Sequence, residues 1–217
     1  GSGKTTLVLE SLVPALRARL AGESLPAHVR DVDAGALSRV NLIDATPIGV
    51  NVRSTVATYS GVLDELRRAF ARTEQAQVAG LKPGAFSYNT GSLRCPTCDG
   101  TGQITLDVQF LPDVDIECTE CRGSRYGAQA ASIRRDGLSL PDIMAMSVDE
   151  ARVAVRGLKK AGALLETLSG LGLGYLTLGE ATPALSGGEA QRLKLASEMG
   201  RRQDGTLFVF DEPTIGL

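Results

Sequence analysis

Two neighbouring stretches near the end of the chain decide the fold: LSGGEAQR at residues 185–192 and TLFVFDEPT at residues 206–214. Ser186 and Glu189 have the spacing of a capping box, which predicts a helix from Ser186 to about Arg201. The apolar run of the second stretch stops at acidic residues and a proline, as a buried parallel strand does at its carboxyl end. A helix followed by such a strand predicts an α/β fold.

The start of this predicted helix has the composition of an anion site. Ser186 supplies a hydroxyl, and Gly187 and Gly188 leave backbone N–H groups accessible at the positive end of the helix dipole. Such a site can hold the γ-phosphate of a nucleotide that another nucleotide-binding half presents. The alternative is an ordinary capped helix with a glycine-rich start, although capping itself requires only the serine and the glutamate.

Two carboxylates follow the predicted strand at 206–210. Asp211 is placed to hold Mg²⁺ directly or through water, and Glu212 is placed to orient or deprotonate an attacking water. The alternative is a strand that ends in solvated acids. Because the strand comes directly after the glycine-rich helix, the sequence favours a catalytic pair of carboxylates.

The chain begins with GSGKTT at residues 1–6, which matches the end of the G-x-x-x-x-G-K-[ST] phosphate loop. In such a loop the backbone N–H groups surround the phosphates, Lys4 adds positive charge and the Thr5 hydroxyl ligates Mg²⁺. The apolar spacing through Leu20 predicts a following helix, which Pro14 kinks or ends early. A flexible Gly/Ser leader is the alternative. The residues assigned to nucleotide binding are Gly1, Ser2, Gly3, Lys4, Thr5 and Thr6.

The order of these three motifs is typical of the ABC class of ATPases. We therefore predict an α/β P-loop ABC-type ATPase domain, truncated at both ends, with a helical signature subdomain and a small zinc-stapled insertion. The long interval between the phosphate loop and the signature indicates that insertion. The predicted divisions are the N-terminal part of the ATP-binding core at 1–85, the zinc-binding insertion at 86–127, the signature subdomain at 128–200 and the acidic strand of the core at 201–217.

Hydrophobic periodicity and capping patterns predict the remaining elements. These are a strand at 40–43, an amphipathic helix at 59–70, a strand or hairpin at 104–110, a helix that begins at the Ser147–Glu150 capping box, and a short helix at 161–173 that ends near Gly172.

The cysteines form two pairs with the spacing C-x₂-C-x₁₉-C-x₂-C: Cys95, Cys98, Cys118 and Cys121. Two such pairs can close a tetrahedral Zn²⁺ site, which has no open position for catalysis and is therefore structural. The only histidine, His28, lies far from them in sequence. The alternatives are four free thiols or two disulfides. A metal site indicates a reducing cytoplasm.

The charge distribution leaves nucleic-acid binding open. The net charge is −2, so any contact with DNA depends on a local patch. Lys82, Arg94, Arg122 and Arg125 surround the cysteines and could contact phosphates. Several acids share the region, so an ordinary solvated surface is the alternative. The sequence has no 18-residue apolar run, and no membrane span is predicted.

Six motifs in the same order resemble the second, C-terminal ATPase half of the UvrA family, the damage-sensing subunits of the bacterial excinuclease, and the resemblance covers essentially the whole chain. They are ATYSG at 57–61, FSYN at 86–89, C-x-x-C-x-G-x-G from Cys95, FLPDV at 110–114, C-x-x-C-x-G-x-R-Y from Cys118, and LSGGEAQRLKLA at 185–196.

This resemblance implies an ATP-dependent protein that scans duplex DNA for damage and loads UvrB in nucleotide excision repair. It implies an N-terminal ABC half in the same polypeptide, a homodimer, a cytoplasmic location and the cofactors ATP, Mg²⁺ and Zn²⁺. It places the zinc insertion on the DNA-facing surface. It assigns Lys4 and Thr5 to nucleotide and Mg²⁺, Asp211 and Glu212 to hydrolysis, and the signature to a composite site with the partner module.

The sequence departs from the family pattern after the first predicted strand. Asp44-Ala45-Thr46-Pro47 has alanine where the family has glutamine, and Val50 replaces the usual basic residue. These differences suggest a divergent paralogue, as in self-resistance to DNA-binding antibiotics, with weak or no ATP turnover. The chain also stops before the expected switch histidine, so we expect little ATPase activity from it alone. A transporter ATPase shares the ATP motifs, but the cysteine insertion argues against it.

Overall fold

The computed structural model describes residue 3 and residues 5–49, 51–106, 114–200 and 203–211 of the 217-residue chain. The helices are α1 (Val13–Ala21), α2 (Val56–Tyr59), α3 (Val62–Phe70), α4 (Glu74–Val78), α5 (Ala128–Ser132), α6 (Leu140–Met144), α7 (Val148–Ala154), α8 (Lys159–Leu168) and α9 (Gly187–Met199). The strands are β1 (Arg39–Ile43), β2 (Gln103–Leu106), β3 (Val114–Glu117), β4 (Arg134–Arg135), β5 (Leu138–Ser139) and β6 (Thr206–Phe210). Short 3₁₀ turns occupy Pro83–Phe86 and Thr182–Ala184.

The helix after the phosphate loop changes type along its length. Thr6–Leu12 forms a π-helical segment that continues into α1, and Pro14 lies in the first turn of α1. Leu12 and Val13, directly before the proline, have helical backbone angles, so the helix runs through Pro14 and the change from π to α falls immediately before it. The prediction that Pro14 ends the helix early is therefore wrong, since α1 ends only at Gly22, which has a φ of 72°.

Strand β1, which comes after the first helix, pairs in parallel with strand β6, which comes after the signature helix. Ile43 of β1 lies opposite Phe210 of β6, and the Asp211 N–H donates to the Ile43 carbonyl at 3.1 Å. Both strands are confirmed, and their carboxyl ends meet at one edge. The prediction that β6 is buried is wrong for the described chain, because residues 206–209 are only half-buried and Phe210 is 45% exposed.

Most apolar side chains join one helical core, built mainly on α3, α8 and α9. Buried apolar residues from both sides of the cysteine region, between Ile48 and Phe86 and between Ala130 and Ala196, pack into this core. A separate small cluster joins α1 to β1 and β6. The domain boundary at residue 85 stays a prediction.

Two predicted helices have corrected or confirmed ends. The helix predicted at 59–70 begins only at Val62, because Gly61 has a φ of 80° and separates α2 from α3. The helix predicted at 161–173 begins at Lys159, and its final π turn contains Gly172 in a left-handed conformation.

The capping box that opens α7 is confirmed, with the Glu150 carboxylate accepting from the Ser147 N–H at 2.9 Å.

Where a strand or hairpin was predicted at 104–110, the structure describes residues 104–106 as part of a strand, and this strand belongs to a hairpin whose second strand lies beyond the predicted range. β2 and β3 pair antiparallel, with Ile104 opposite Ile116 and Leu106 opposite Val114. The residues that connect these strands, 107–113, lie outside the described part of the chain. None of the described helices combines the length and hydrophobicity that crossing a lipid bilayer requires.

Candidate functional sites

The signature helix begins as its sequence predicts. The Glu189 carboxylate accepts from the Ser186 N–H at 2.7 Å, and the Ser186 hydroxyl accepts from the Glu189 N–H at 3.4 Å. The first N–H groups of a helix have no intrahelical acceptor, which leaves those of Gly187 and Gly188 directed outward from the helix start. A Cβ added at Gly187 would lie 3.2 Å from the Ala45 Cβ, so glycine allows the close approach of these two segments.

Glu189 also contacts an exposed aromatic residue on the preceding segment. The Tyr175 hydroxyl donates to the Glu189 carboxylate. This hydrogen bond is the largest influence on Glu189, and with the Ser186 contacts it holds the pKa of Glu189 below its usual value. The capping carboxylate is therefore ionised at neutral pH and fixes the orientation of the helix start. A capping box is recognised from Ser186 and Glu189 alone, so sequence patterns do not predict that Tyr175 contacts this carboxylate.

Two aspartates stand at the shared edge of β1 and β6. Asp44 follows β1, Asp211 follows β6, and both are half-buried. Burial is the largest influence on Asp44 and opposes ionisation, but hydrogen bonds from Lys194 and Thr46 outweigh it and lower the pKa of Asp44. A half-buried aspartate at the end of a strand fits the Mg²⁺ role predicted for Asp211.

The predicted phosphate loop is described only in part. Gly3 has a φ of 69°, and its carbonyl accepts from the Leu7 N–H at 2.9 Å. Thr5 has helical backbone angles, and Thr5 and Thr6 are exposed at the start of the helix. Gly1, Ser2, Lys4 and Glu212 lie outside the described residues, so their roles stay predictions. The described part has the glycine and the helix start that a phosphate loop requires.

The four cysteine sulfurs form one cluster, with all four ligand atoms within 4.8 Å of one another. The closest pairs join the two knuckles: Cys95 to Cys118 at 3.9 Å and Cys98 to Cys121 at 3.6 Å. A tetrahedral site with Zn–S bonds of about 2.3 Å places its sulfurs about 3.8 Å apart. All four are free thiols, so no disulfide forms, and their arrangement fits a closed Zn²⁺ site.

Left-handed turns shape both knuckles. Asp99 follows Cys98 with a φ of 51°, and Arg122 follows Cys121 with a φ of 47°. The first turn directs the Gly102 N–H toward the Cys98 sulfur at 3.3 Å. A Cβ at Gly100 would lie 1.8 Å from the Tyr88 carbonyl oxygen, so only glycine fits there. The C-x-x-C-x-G pattern thus encodes the local fold as well as the ligands.

The thiols ionise unequally in the metal-free chain. Burial opposes ionisation of Cys98, but hydrogen bonds from the Gly102 N–H and from Cys121 and Cys95 outweigh it and lower the pKa of Cys98 to about 7. Burial raises the pKa of Cys121 to about 12 and also raises that of Cys95. Because zinc binds thiolates, metal binding at this cluster releases protons.

The basic residues around the cysteines differ in accessibility. Arg125 is only 7% exposed, stacks on Tyr88 at 5.3 Å and donates to the Thr101 carbonyl at 2.8 Å. The hypothesis that Arg125 contacts phosphate is therefore wrong, because its guanidinium joins the two knuckles from inside. Arg94 is bound to Asp99 at 2.9 Å, whereas Lys82 and Arg122 are exposed.

Sequence reasoning also missed two side chains of the signature helix. Gln191 contacts Ile43 at the end of β1 and Asp211 after β6, and Lys194 contacts Asp44 after β1; Ile43 and Asp44 lie about 150 positions earlier in the sequence. No local pattern predicts such contacts, since they depend on how the helix packs against the strands. The helical spacing of the two residues, three apart, is the only sequence signal that places them on one face.

Comparisons with known proteins give one consistent result. No protein-family model matches the chain. It is 44% identical over 220 residues to "UvrABC system protein A" of Synechocystis and to the protein of that name from Bacillus subtilis, with 100% of the chain and 23% of each relative covered. The crystal structure of UvrA2 from Deinococcus radiodurans matches all of the chain and 26% of that protein, with 41% identity and a TM-score of 0.86. The chain thus spans about a quarter of the length of these relatives.

Proposed function

Over its full length the chain is homologous to one segment of UvrA proteins, and from this we propose that it acts within a UvrA-type ABC ATPase that recognises DNA damage in nucleotide excision repair. The observation that carries this proposal is the combination, in one homologous segment, of a glycine-rich helix start, an aspartate at a strand end and a four-cysteine cluster. The relatives are named for the UvrABC system, which favours repair over antibiotic self-resistance.

The nucleotide would be held between the two ends of the sequence. Lys4 and the amides of the phosphate loop would bind the β- and γ-phosphates, while Thr5 and Asp211 would ligate Mg²⁺. Glu212 would orient or deprotonate the attacking water. The parallel pairing of β1 and β6 supports this assignment, because it places Asp211 at a strand end beside a second aspartate, Asp44.

The signature would serve a second nucleotide. Its outward N–H groups suit the γ-phosphate of ATP bound to a partner module, either the other ABC half of a longer polypeptide or a second copy. A chain that spans about a quarter of its relatives' length leaves room for such a half and for a surface that binds a UvrB-like protein. Ser186, Gly187 and Gly188 would complete the composite site.

The cysteine cluster would hold Zn²⁺ for folding rather than for catalysis. Four thiolates fill a tetrahedral zinc and leave no position for a substrate. We assign the surface around it to duplex DNA, with exposed Lys82 and Arg122 as candidate phosphate contacts. Both residues flank the cysteine knuckles, so a fixed zinc centre would also fix their spacing along the DNA.

ATP-dependent binding of the full polypeptide to UV-irradiated and intact duplex DNA tests this function. We expect tighter binding to the irradiated duplex, and loss of that preference in Cys98→Ser with ATP binding retained. Thr97→Ser, an exposed neighbour inside the same knuckle, is the matched control. Equal affinity of the wild-type protein for both duplexes would contradict the repair role, and unchanged DNA binding by Cys98→Ser would contradict the role of the zinc centre.

A further inference from the structure

Three polar side chains on one face of α9 extend across to the small parallel sheet. Gln191, Lys194 and Glu198 follow one another at intervals of three and four residues, so they lie along one stripe of the helix. Glu198 accepts from the Asn41 side chain at 2.6 Å and pairs with Arg39 at 3.5 Å. The stripe therefore runs along β1 toward its carboxyl end.

Gln191 joins the ends of the two strands. Its side-chain amide nitrogen donates to the Ile43 carbonyl at 3.2 Å and to the Asp211 carbonyl at 2.8 Å, and the residue is 5% exposed. One side chain of the signature helix thus bridges the carboxyl ends of β1 and β6. The aspartate assigned to Mg²⁺ is one of the two residues that it holds.

Lys194 holds the turn that follows β1. Its ammonium group donates to the Thr46 carbonyl and the Thr46 hydroxyl, both at 2.8 Å, to the Asp44 carbonyl at 3.1 Å and to the Asp44 carboxylate. The Lys194 side chain is 14% exposed and that of Asp44 is 22% exposed. An ammonium group has three protons, so four acceptor oxygens engage all of its donors.

The same turn touches the beginning of the helix. Ala45 lies between the two residues that Lys194 holds, and a Cβ at Gly187 would be 3.2 Å from the Ala45 Cβ. The turn after β1 is therefore enclosed between the anion site at the start of α9 and the ammonium group two turns further along. A rotation of α9 relative to the sheet would break all of these contacts together.

We propose that Gln191 and Lys194 are positioning residues that fix the start of the signature helix relative to Asp44 and Asp211. This proposal rests on the proposed ATPase function. To act on the nucleotide of a partner module, the signature must be held in one orientation relative to the carboxyl ends of β1 and β6. The two side chains make α9 and those strand ends one rigid unit, so hydrolysis in the partner module depends on them although they touch no nucleotide.

The polar chemistry of the contact argues against a role in packing alone. Burying an ammonium group costs solvation, and replacing buried ion pairs by apolar side chains is often neutral or stabilising. A methionine at position 194 would have nearly the same length and would keep the apolar packing. What it would lose is the fixed orientation given by directional hydrogen bonds to Asp44 and Thr46.

ATP turnover of the full polypeptide tests the proposal, with Lys194→Met compared with Lys194→Arg and with Lys160→Met as control. Lys160 is an exposed lysine in the first turn of α8, remote in sequence from both ATP motifs. Turnover is expressed per bound ATP, which is counted with a fluorescent ATP analogue. A variant with a smaller folded fraction can then be compared directly with the wild-type protein. We expect Lys194→Met to lower kcat about tenfold, the effect of losing one charge-assisted hydrogen bond, with KM for ATP within about twofold.

Lys194→Arg keeps the charge and is expected to recover most of that loss, while Lys160→Met stays at the wild-type value. If Lys194→Met does not fold, Thr46→Val decides, because it removes one acceptor and is expected to lower kcat in the same direction by a smaller factor. Unchanged kcat per bound ATP in Lys194→Met, or in Thr46→Val where the first variant is unfolded, would overturn the proposal. So would an arginine variant no better than the methionine variant.

A wild-type protein without ATP turnover would refute the proposed function instead. Hydrogen exchange then tests the positioning contact by itself. The Asp211 N–H, which donates to Ile43 at 3.1 Å, should exchange faster in Lys194→Met than in Lys160→Met. Equal exchange rates would show that the contact does not hold the strand ends.

Discussion

At the scale of single residues, the two cysteine knuckles are joined by a buried arginine. Arg125 lies between the two knuckles with a φ of 71°, stacks on Tyr88 and donates to the Thr101 carbonyl. Burial is the largest influence on this guanidinium and lowers its pKa, yet arginine stays charged at any physiological pH. The sequence shows this residue only as one more base near the cysteines, because its burial follows from the packing of the two knuckles.

Arg125→Met is expected to lower the free energy of unfolding by about 2 kcal/mol, since it removes a hydrogen bond from a charged donor and a cation–π contact. Denaturant unfolding of the zinc-loaded protein measures this. Arg122→Met, an exposed residue in the same knuckle that also has a positive φ, is the matched control and should change stability by less than about 0.5 kcal/mol. Equal effects of the two substitutions would contradict the role of the buried contact.

The pair of Asp44 and Lys194 gives a defined pH dependence. Hydrogen bonds from Lys194 and Thr46 hold the pKa of Asp44 below its usual value of 3.8 in the folded protein, so the stabilisation is fully present above that value and is lost as the pH falls through the folded pKa. The destabilisation caused by Asp44→Asn should therefore be constant between about pH 5 and 8 and should shrink below about pH 4. Unfolding in denaturant across this range measures it, and a loss that grows toward acid pH would be inconsistent with a lowered pKa.

At the scale of elements, the local predictions succeeded where short-range chemistry decides. Both predicted capping boxes and both strands of the parallel pair follow from residue type and spacing. The break at Gly61 was missed because the apolar spacing of 59–70 continues through it. The helix end predicted at Pro14 was wrong because the chain keeps helical backbone angles up to the proline and continues beyond it to Ala21.

The break between α2 and α3 can be tested with two glycines. Gly61 has a φ of 80°, and the nearest atom to an added Cβ is Leu164 Cδ1 at 4.0 Å, so Gly61→Ala meets strain rather than a clash. We expect a loss of about 1 kcal/mol in thermal or denaturant unfolding. Gly162→Ala, within α8 and with no atom within 4 Å, should instead stabilise by about 0.5–1 kcal/mol. Stabilisation by both substitutions would show that α2 and α3 can join.

The cysteine element can be tested by metal analysis of the purified protein. We expect one zinc per chain, and its loss in Cys118→Ser, because three thiolates leave the tetrahedron open. Thr119→Ser changes an exposed neighbour and should keep the metal. Chelation should loosen the hairpin of β2 and β3 while the helical core stays folded, since the cysteines form a cluster separate from that core. Fewer than four reactive thiols after chelation and unfolding would indicate a disulfide instead.

At the scale of the whole molecule, the chain joins a small sheet to a large helical core through α9. The apolar clusters on either side are distinct, and the polar stripe of Gln191, Lys194 and Glu198 crosses between them. The sequence analysis predicted strands of the sheet and helices of the core, but not the side-chain contacts of α9 that join them. Contacts across about 150 residues of sequence depend on tertiary packing, which motif spacing does not encode.

Within the described residues, the structure brings parts of two of the three predicted ATP motifs together. The sequence identified each motif by its chemistry, and the structure brings the ends of β1 and β6 together beside the signature helix. The position of Lys4 relative to Asp211 lies outside the described residues, so their joint binding of one nucleotide stays a prediction. Measuring ATP binding and hydrolysis tests this prediction directly.

The most direct measurement is ATP hydrolysis by the full polypeptide and its Glu212→Gln variant, with ATP binding measured in parallel. We predict that the wild-type protein hydrolyses ATP, and that the variant binds ATP with similar affinity but turns it over at least about a hundredfold more slowly, as expected for loss of the group that activates water. Equal turnover by the two proteins, or failure of the wild-type protein to bind ATP, would contradict the account.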